Sequence, residues 1–434
     1  MRTARVAEIF TMCADMWPRV VFVGRKHYIC KMRLCDTAFG ARLPKSLSGE
    51  KAAVRRTHAV ALKKMSGIYF HIPFCRRICA YCDFFRSADT RSMEAVVRAM
   101  HAELDEQRGF LTDRRVRTLY VGGGTPSLLY PDELQRLIDH AGGLFDCSEV
   151  EEITVEANPD DVTAEYVAAL RRTDVGRVSL GVQSFDDAEL RFMNRRHTAA
   201  AARDAVARLQ NAGFGNITVD LIFGVDGFGA DVLARSLDAV LALGVQHVSA
   251  YHLTVEEGTA FHRRVMRGEM REVAEECSER EYELIHNTLC GAGFEHYEVS
   301  NYAREGFRAR HNSSYWHGAQ YLGIGTGAHS FDGNVRRRCV QEPSDYAAGR
   351  VYESERLDDR DRFNEYVMTS LRCAEGIDLA LLRERFGANR SAAVAAAAER
   401  WLAADDLRCE DGRLFIPARR FMISDAVIES FFEV

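Results

Sequence analysis

The sequence predicts an α/β fold: a partial (β/α)6 barrel followed by a small helical, winged-helix-like C-terminal domain. Three observations carry this. Six short β-rich runs alternate with longer helical patterns between residues 67 and 251. Those runs end in glycines, a histidine and buried-type polar residues rather than in plain turn residues. After about residue 300 the alternation stops, and the last stretch reads as helices plus one hairpin.

The strand-forming runs are 67–72, 118–122, 152–156, 177–181, 216–223 and 246–251. Between them, 92–108, 131–145, 164–172, 199–212 and 230–243 carry apolar residues at i, i+3 and i+4, the spacing of an amphipathic helix. Pro131 and Asp132 suit a first helical turn, and Gly213 suits a helix stop. Strand–helix units in series imply a parallel sheet with right-handed crossovers. In barrel-like folds the carboxyl ends of the strands build the active site. Here those ends hold His71, Gly122 to Thr125, Glu156, Gln183 and Asp220. Six units rather than eight give an open barrel.

Past residue 300, 310–316 and 321–329 are rich in Gly, aromatic and His residues and read as loop and short strand. Residues 378–386 and 391–404 are helical patterns, and 407–416 contains Glu410-Asp411-Gly412, a hairpin turn. A final helix is expected over 424–432. The division is then 1–64, a basic extension; 65–305, the barrel; 306–359, a linker region; and 360–434, the end domain. No repeat is visible beyond the β–α alternation.

The chain has 434 residues, 47% hydrophobic and 28% charged, as in a soluble globular protein. A net charge of −6 gives no reason to expect nucleic-acid binding. No apolar run reaches about 18 residues, so no spanning helix is expected. The charge is uneven: residues 1–64 hold 14 Lys and Arg against 4 Asp and Glu, the remainder 43 against 59. The first segment lacks a secretory pattern. Met65, just before the first strand, reads as the biological start; a basic membrane-surface arm or a transit-like peptide are the alternatives. Twelve cysteines are too few for a disulfide scaffold in a chain this long, and nine of them are scattered. A reducing, cytoplasmic setting is expected.

Cys75, Cys79 and Cys82 cluster as C-x3-C-x2-C directly after a strand, with Tyr81 between the last two. Three thiolates this close can wrap one compact centre. A zinc site would need a fourth protein ligand, for which His71 or Asp83 would serve. A 4Fe-4S cube has four corners, usually all held by Cys. Three Cys leave one iron open for the amino and carboxylate groups of S-adenosylmethionine.

The chain resembles the radical S-adenosylmethionine proteins of the oxygen-independent coproporphyrinogen oxidase superfamily, and within it the HemW-like haem chaperones. The resemblance covers about residues 66–434. It rests on the segment 69–84, Gly122-Gly123-Gly124-Thr125-Pro126-Ser127, Glu156-Ala157-Asn158-Pro159, Gly181-Val182-Gln183-Ser184-Phe185, Asp220-Leu221-Ile222-Phe223-Gly224 and His311-Asn312-Ser313-Ser314-Tyr315-Trp316.

The resemblance implies that Gly123, Gly124 and Thr125 contact the methionyl part of the cofactor. Glu156 would accept ribose hydroxyls, Gln183 would meet polar groups, Arg195 would pair with the carboxylate, and Tyr69 would lie against the cofactor. Asp220 ends the fifth strand in the same ring. A tight turn is the plainer account of the glycines, a supporting or surface polar position that of Glu156, Gln183, Arg195 and Asp220, and a core position that of Tyr69. Two functions follow, a haem chaperone or an enzyme decarboxylating porphyrinogen propionates. The decarboxylase pattern places a fourth Cys one residue after the third. Here Asp83 and Phe84 follow Cys82, which favours the chaperone. His311, with Tyr315 and Trp316 as flat apolar surface, is the expected haem ligand; packing of the end domain is the alternative. His329 and Cys339 are further candidates. Expected partners are haem, recipient haem proteins and a reductant such as a flavodoxin or ferredoxin. Membrane-surface association and a homodimer stay open, and no catalytic residue is assigned.

Overall fold

The computed structural model describes residues 66–434. The readings made for residues 1–64 and for a start at Met65 lie outside the described residues.

Six parallel strands form the centre of the sheet: β1 (Ser66–Ile72), β2 (Val116–Gly123), β3 (Glu152–Ala157), β4 (Arg177–Gln183), β5 (Ile217–Phe223) and β6 (His247–His252). Each alternates apolar and polar residues, although a parallel strand buried on both faces usually reads as continuously apolar. In β1, Ile68, Phe70 and Ile72 join the main hydrophobic core beneath the helices. Tyr69 belongs to a separate small cluster with Tyr120 and Ala328 on the other face. That inner face carries Thr118, Thr154, Glu156, Arg177, Ser179, Asp220 and Ser249, all buried. A polar inner wall under an apolar outer wall is what makes the site.

Helices α1 (Met93–Gln107), α2 (Pro131–Leu144), α3 (Ala164–Leu170), α4 (Asp187–Phe192), α5 (Ala199–Asn211) and α6 (Ala230–Leu243) follow these strands. Thr163, Asp186 and Thr198 cap three of them by accepting first-turn backbone N–H groups. Gly244 ends α6 at φ 62, where a side chain would be strained. α7 (Ala260–Met266) and α8 (Glu275–Gly291) come after β6.

The sheet does not stop at six strands. β7 (Glu295–Glu298) and β8 (Asn301–Ala303) extend the β6 edge antiparallel. Beyond them comes α9 (Arg310–Trp316), then β9 (Tyr321–Ile324), β10 (His329–Phe331), β11 (Val335–Cys339) and β12 (Tyr352–Arg356). β9 pairs parallel with β1, and β10 to β12 continue outward from it. Residues 306–359, expected as a linker, therefore build one flank of a twelve-stranded sheet. These strands are only three to five residues long, too short to show a period.

The loop expected at 310–316 is also corrected: it is a helix. The Glu152 carboxylate accepts the backbone N–H groups of Arg310 at 2.9 Å and His311 at 3.0 Å. That acceptor caps the helix from another strand, so local pattern could not reveal it.

The end of the chain holds α10 (Asp359–Leu371), started by a capping box of Asp358 and Asp361, and β13 (Ile377–Asp378). α11 (Leu379–Ala403) is broken at Gly387, φ 85, matching two expected helical patterns. β14 (Arg408–Glu410) and β15 (Arg413–Phe415) form the expected hairpin, with Asp411 and Gly412 both at positive φ, and α12 (Ser424–Glu429) closes the chain. Phe363, Val367, Leu414 and Phe421 share the barrel's hydrophobic core. Buried Arg372 ties the two parts, pairing with Asp425 and giving its carbonyl to Val299. Among the described residues no helix is long and apolar enough to cross a membrane.

Candidate metal and cofactor site

The three clustered cysteines stand in the loop after β1, and that loop is tethered from several sides. Cys75 N–H donates to the Ser87 carbonyl, and Ala80 N–H to that of Met193. Phe261, at the start of α7, donates to the Ala80 carbonyl, and the Asn194 side chain to that of Ile78. The thiols are thus held by segments that follow β4 and β6.

Cys75 is buried, Cys79 and Cys82 are half-buried, and none is in a disulfide. Burial pushes the Cys75 thiol up and that of Cys82 to about 12, and neighbouring thiols add to both rises. The three therefore lie within electrostatic reach of one another. A bound cation inverts this, since coordination deprotonates a thiol outright.

Among the described residues no three His, Cys, Asp or Glu side chains meet closely enough to hold a single ion, as a zinc knuckle requires. His71 is committed elsewhere. Its Nε2 donates to the Phe85 carbonyl at 2.9 Å, so its Nδ1 accepts from the Tyr69 hydroxyl at 3.0 Å. Burial lowers its pKa to about 4 and keeps the ring neutral. Three thiols from one loop fit a cluster that takes one thiolate on each of three irons.

A chain of hydrogen bonds joins two of the thiols through three strand ends. Thr125, after β2, donates to Cys75 Sγ at 3.4 Å. Asn158, after β3, donates to Thr125 Oγ1 at 3.3 Å and accepts from Arg195 Nη2 at 2.7 Å. Arg195, after β4, donates through Nη1 to Cys79 Sγ at 3.2 Å, and also bonds the Gly181 carbonyl. Burial alone would lower the Arg195 pKa, but Cys79 and Tyr81 outweigh it and hold the cation above its ordinary range. Burial, then Cys79, raises the Tyr81 phenol. Arg195 therefore braces the cysteine loop as placed. Asn158 lies inside a stretch the sequence flagged, but nothing local singled it out.

The glycine turn is sterically required. A Cβ on Gly124 would stand 2.8 Å from the Phe74 carbonyl oxygen and 2.9 Å from Pro73 C, both backbone. Gly123 sits at φ 111 with its missing Cβ against the His71 ring. Glu156 accepts from the Tyr120 hydroxyl at 2.6 Å and from Gly123 N–H at 3.3 Å. Gln183 ends β4 at φ 70, left-handed for a non-glycine residue, a strain that clusters at functional sites. Ser179 bonds Asp220 at 3.4 Å across adjacent strands. Tyr69, Tyr81, Gly123, Gly124, Thr125, Glu156, Gln183, Arg195 and Asp220 thus stand on the loop, the strand ends or the polar inner wall.

His311 is placed differently. It is 1% exposed, with Nδ1 bonded to Thr118 Oγ1 at 2.8 Å and Nε2 to the Tyr315 hydroxyl at 2.7 Å. It stacks on Tyr120 at 5.1 Å. Burial, then Arg177, pushes its pKa to about 3. Both ring nitrogens are in use, so this histidine plugs the barrel floor and is not presented as an iron ligand. His329 begins β10, its pKa lowered to about 3 by burial, and Cys339 is buried at the end of β11 with its thiol raised to about 11.

Residues 69–240 match the Radical SAM superfamily, and residues 357–419 match the HemN C-terminal domain. The chain is 39% identical to the haem chaperone HemW of Mycobacterium tuberculosis, over 84% of this chain and 94% of that protein. It is 36% identical to that of Lactococcus lactis, over 75% and 86%. Among solved structures, the coproporphyrinogen III oxidase HemN of Escherichia coli superposes with a TM-score of 0.74 at 19% identity, covering 88% of this chain and 93% of that one.

Proposed function

The chain belongs to the HemW family of the radical S-adenosylmethionine superfamily, and on that premise we propose that it is a haem chaperone, holding haem and delivering it to recipient haem proteins. The observation that carries this reading is the likeness to curated haem chaperones along nearly their whole length. Asp83 and Phe84 after the third cysteine support it, since the decarboxylase pattern has a fourth Cys there.

Cys75, Cys79 and Cys82 would hold a 4Fe-4S cluster, with S-adenosylmethionine between them and the strand ends. When bound, the pair supplies one-electron chemistry at the open iron. The chain's own residues do the rest. Thr125 donates to one ligating sulfur and Arg195 to another, which steadies thiolate charge. The turn at Gly123 and Gly124 brings backbone close enough to pair with a charged amino-acid end. Glu156, oriented by Tyr120, offers acceptors for a sugar diol. Open thiols suit a cytoplasmic, reducing setting, and a flavodoxin- or ferredoxin-type donor is the expected reductant.

Anaerobically reconstituted full-length protein is given haem and, separately, coproporphyrinogen. The reading expects haem binding and transfer to an apo-acceptor without porphyrinogen decarboxylation. Formation of protoporphyrinogen, or no haem uptake, sinks it.

A further inference from the structure

The three residues between the first two cysteines face solvent. Arg76 and Arg77 are exposed, and Ile78 is 38% exposed, rare for a large apolar side chain in this fold. Neither arginine makes an ion pair among the described residues. By contrast Arg91, Arg98 and Arg115, exposed further along the same stretch of chain, each hold a carboxylate. Two free cations stand out in a chain that carries 43 Lys and Arg against 59 Asp and Glu after residue 64.

The patch is held in place at both ends. Cys75 N–H donates to the Ser87 carbonyl, and the Ile78 carbonyl accepts from the Asn194 side chain at 2.8 Å. A preformed patch loses little conformational freedom on docking. Positive charge continues beside it. Phe261 N–H ties α7 to the Ala80 carbonyl of the loop, and Arg264 of α7 stacks on Phe261 at 5.6 Å and on Phe192 at 5.3 Å. Glu269, which follows α7, is paired with Arg267 at 2.6 Å. The acids of the loop, Asp83 and Asp89, come after the third Cys, and Asp89 is paired with Arg91. Consecutive Cα atoms are about 3.8 Å apart, so a partner touching 76–78 stands within one to three residues of two sulfur ligands.

We propose that Arg76, Arg77 and Ile78, flanked by Arg264, form the docking surface for a small acidic one-electron carrier protein. The inference rests on the cluster reading and says where the expected reductant binds. One electron leaves the reduced carrier, its flavin hydroquinone becoming the semiquinone, and reduces the bound cube by one; no proton need move. An exposed isoleucine beside arginines gives the apolar centre and charged rim of a small, transient interface. Opposite charge speeds the encounter, and a small contact lets the spent carrier leave.

The test uses reconstituted full-length protein and an acidic flavodoxin: its oxidised form for binding by calorimetry, its hydroquinone for stopped-flow reduction of the cluster. In wild type, affinity and reduction rate are expected to fall as salt rises. Arg76→Glu combined with Arg77→Glu is expected to lower both about tenfold or more and to flatten the salt dependence. Iron content and the rate with photoreduced deazariboflavin, a small donor that needs no docking surface, should be unchanged. If the double variant binds flavodoxin and accepts its electron as wild type does, the surface is overturned and the cluster reading stands. The same holds if the variant loses binding only to phosphatidylglycerol vesicles, which would make the patch a membrane contact. Should the variant fail to hold iron, wild-type affinity and rate that do not respond to salt overturn the proposal. If wild type itself retains no iron, the cluster reading falls and this inference with it.

Discussion

Replacing His311 with alanine separates a floor residue from a ligand. The imidazole is buried, holds the Thr118 and Tyr315 hydroxyls, and packs on Tyr120. Its removal strands two buried hydroxyls at about 1 kcal/mol each, because they can rotate toward other acceptors. The lost ring contacts and the void add about 2 kcal/mol. The expected loss is roughly 4 kcal/mol, a large share of the stability of an ordinary domain. The assay is denaturant unfolding of the full chain, read as a shift in midpoint at unchanged slope. The folded variant should keep the haem-ligation signature of the wild type. A loss below about 1 kcal/mol, or disappearance of that signature from folded protein, would refute the placement of His311 in the floor.

Other outcomes follow from the same geometry. His71 and His252 have pKa values lowered to about 4, and His197, His296, His311 and His329 to about 3, in each case mainly by burial. The unfolded chain, with histidines near 6.5, binds protons first. The contribution of these six histidines is therefore full above about pH 6.5 and falls toward pH 4, by up to about 1.4 kcal/mol per pH unit for each, and outnumbers the opposite contribution of Glu189 and Asp425, whose carboxyls burial raises to about 7 and about 6. A urea midpoint that stays flat between about pH 7 and pH 5 contradicts this. Arg195→Gln removes a positive donor from Cys79 Sγ and should make the cluster potential more negative by about 60 mV, the equivalent of ~1.4 kcal/mol; a redox titration with no shift refutes it. Gly124→Ala drives a Cβ into the backbone of Pro73 and Phe74, so a cost of about 1–3 kcal/mol and reduced iron retention are expected. Wild-type iron content and melting temperature in that variant would show that the turn has room. Glu156→Gln should weaken S-adenosylmethionine binding about tenfold by calorimetry, and equal affinity removes Glu156 from the cofactor.

Much of the barrel was legible along the chain. The six central strands fall within a few residues of their expected bounds because each carries its own alternation, and α5 and α6 carry their own helical period. The Asp411-Gly412 turn was legible because a two-residue hairpin needs two positive φ angles. α8 was missed because its charged residues, among them Glu275, Glu276, Glu279, Arg280 and Glu283, mask a narrow apolar stripe. The flank from β9 to β12 was missed because strands this short form only where an existing edge receives them.

The sequence by itself determined the chemistry that spacing can encode: three cysteines within eight residues, a glycine turn, and acidic or amide side chains at successive strand ends. Only the tertiary structure decided which partner each group takes. Asn158 links Thr125 to Arg195 across gaps of 33 and 37 residues, and Glu152 caps the His311 helix from 159 residues away. Two histidines six positions apart end in opposite situations. His311 is enclosed by strands β1 and β2, while His317 is turned to a cavity by the end of the same helix. Burial and hydrogen-bond partners come from residues remote in sequence, so no local pattern could tell the enclosed histidine from the one beside the cavity.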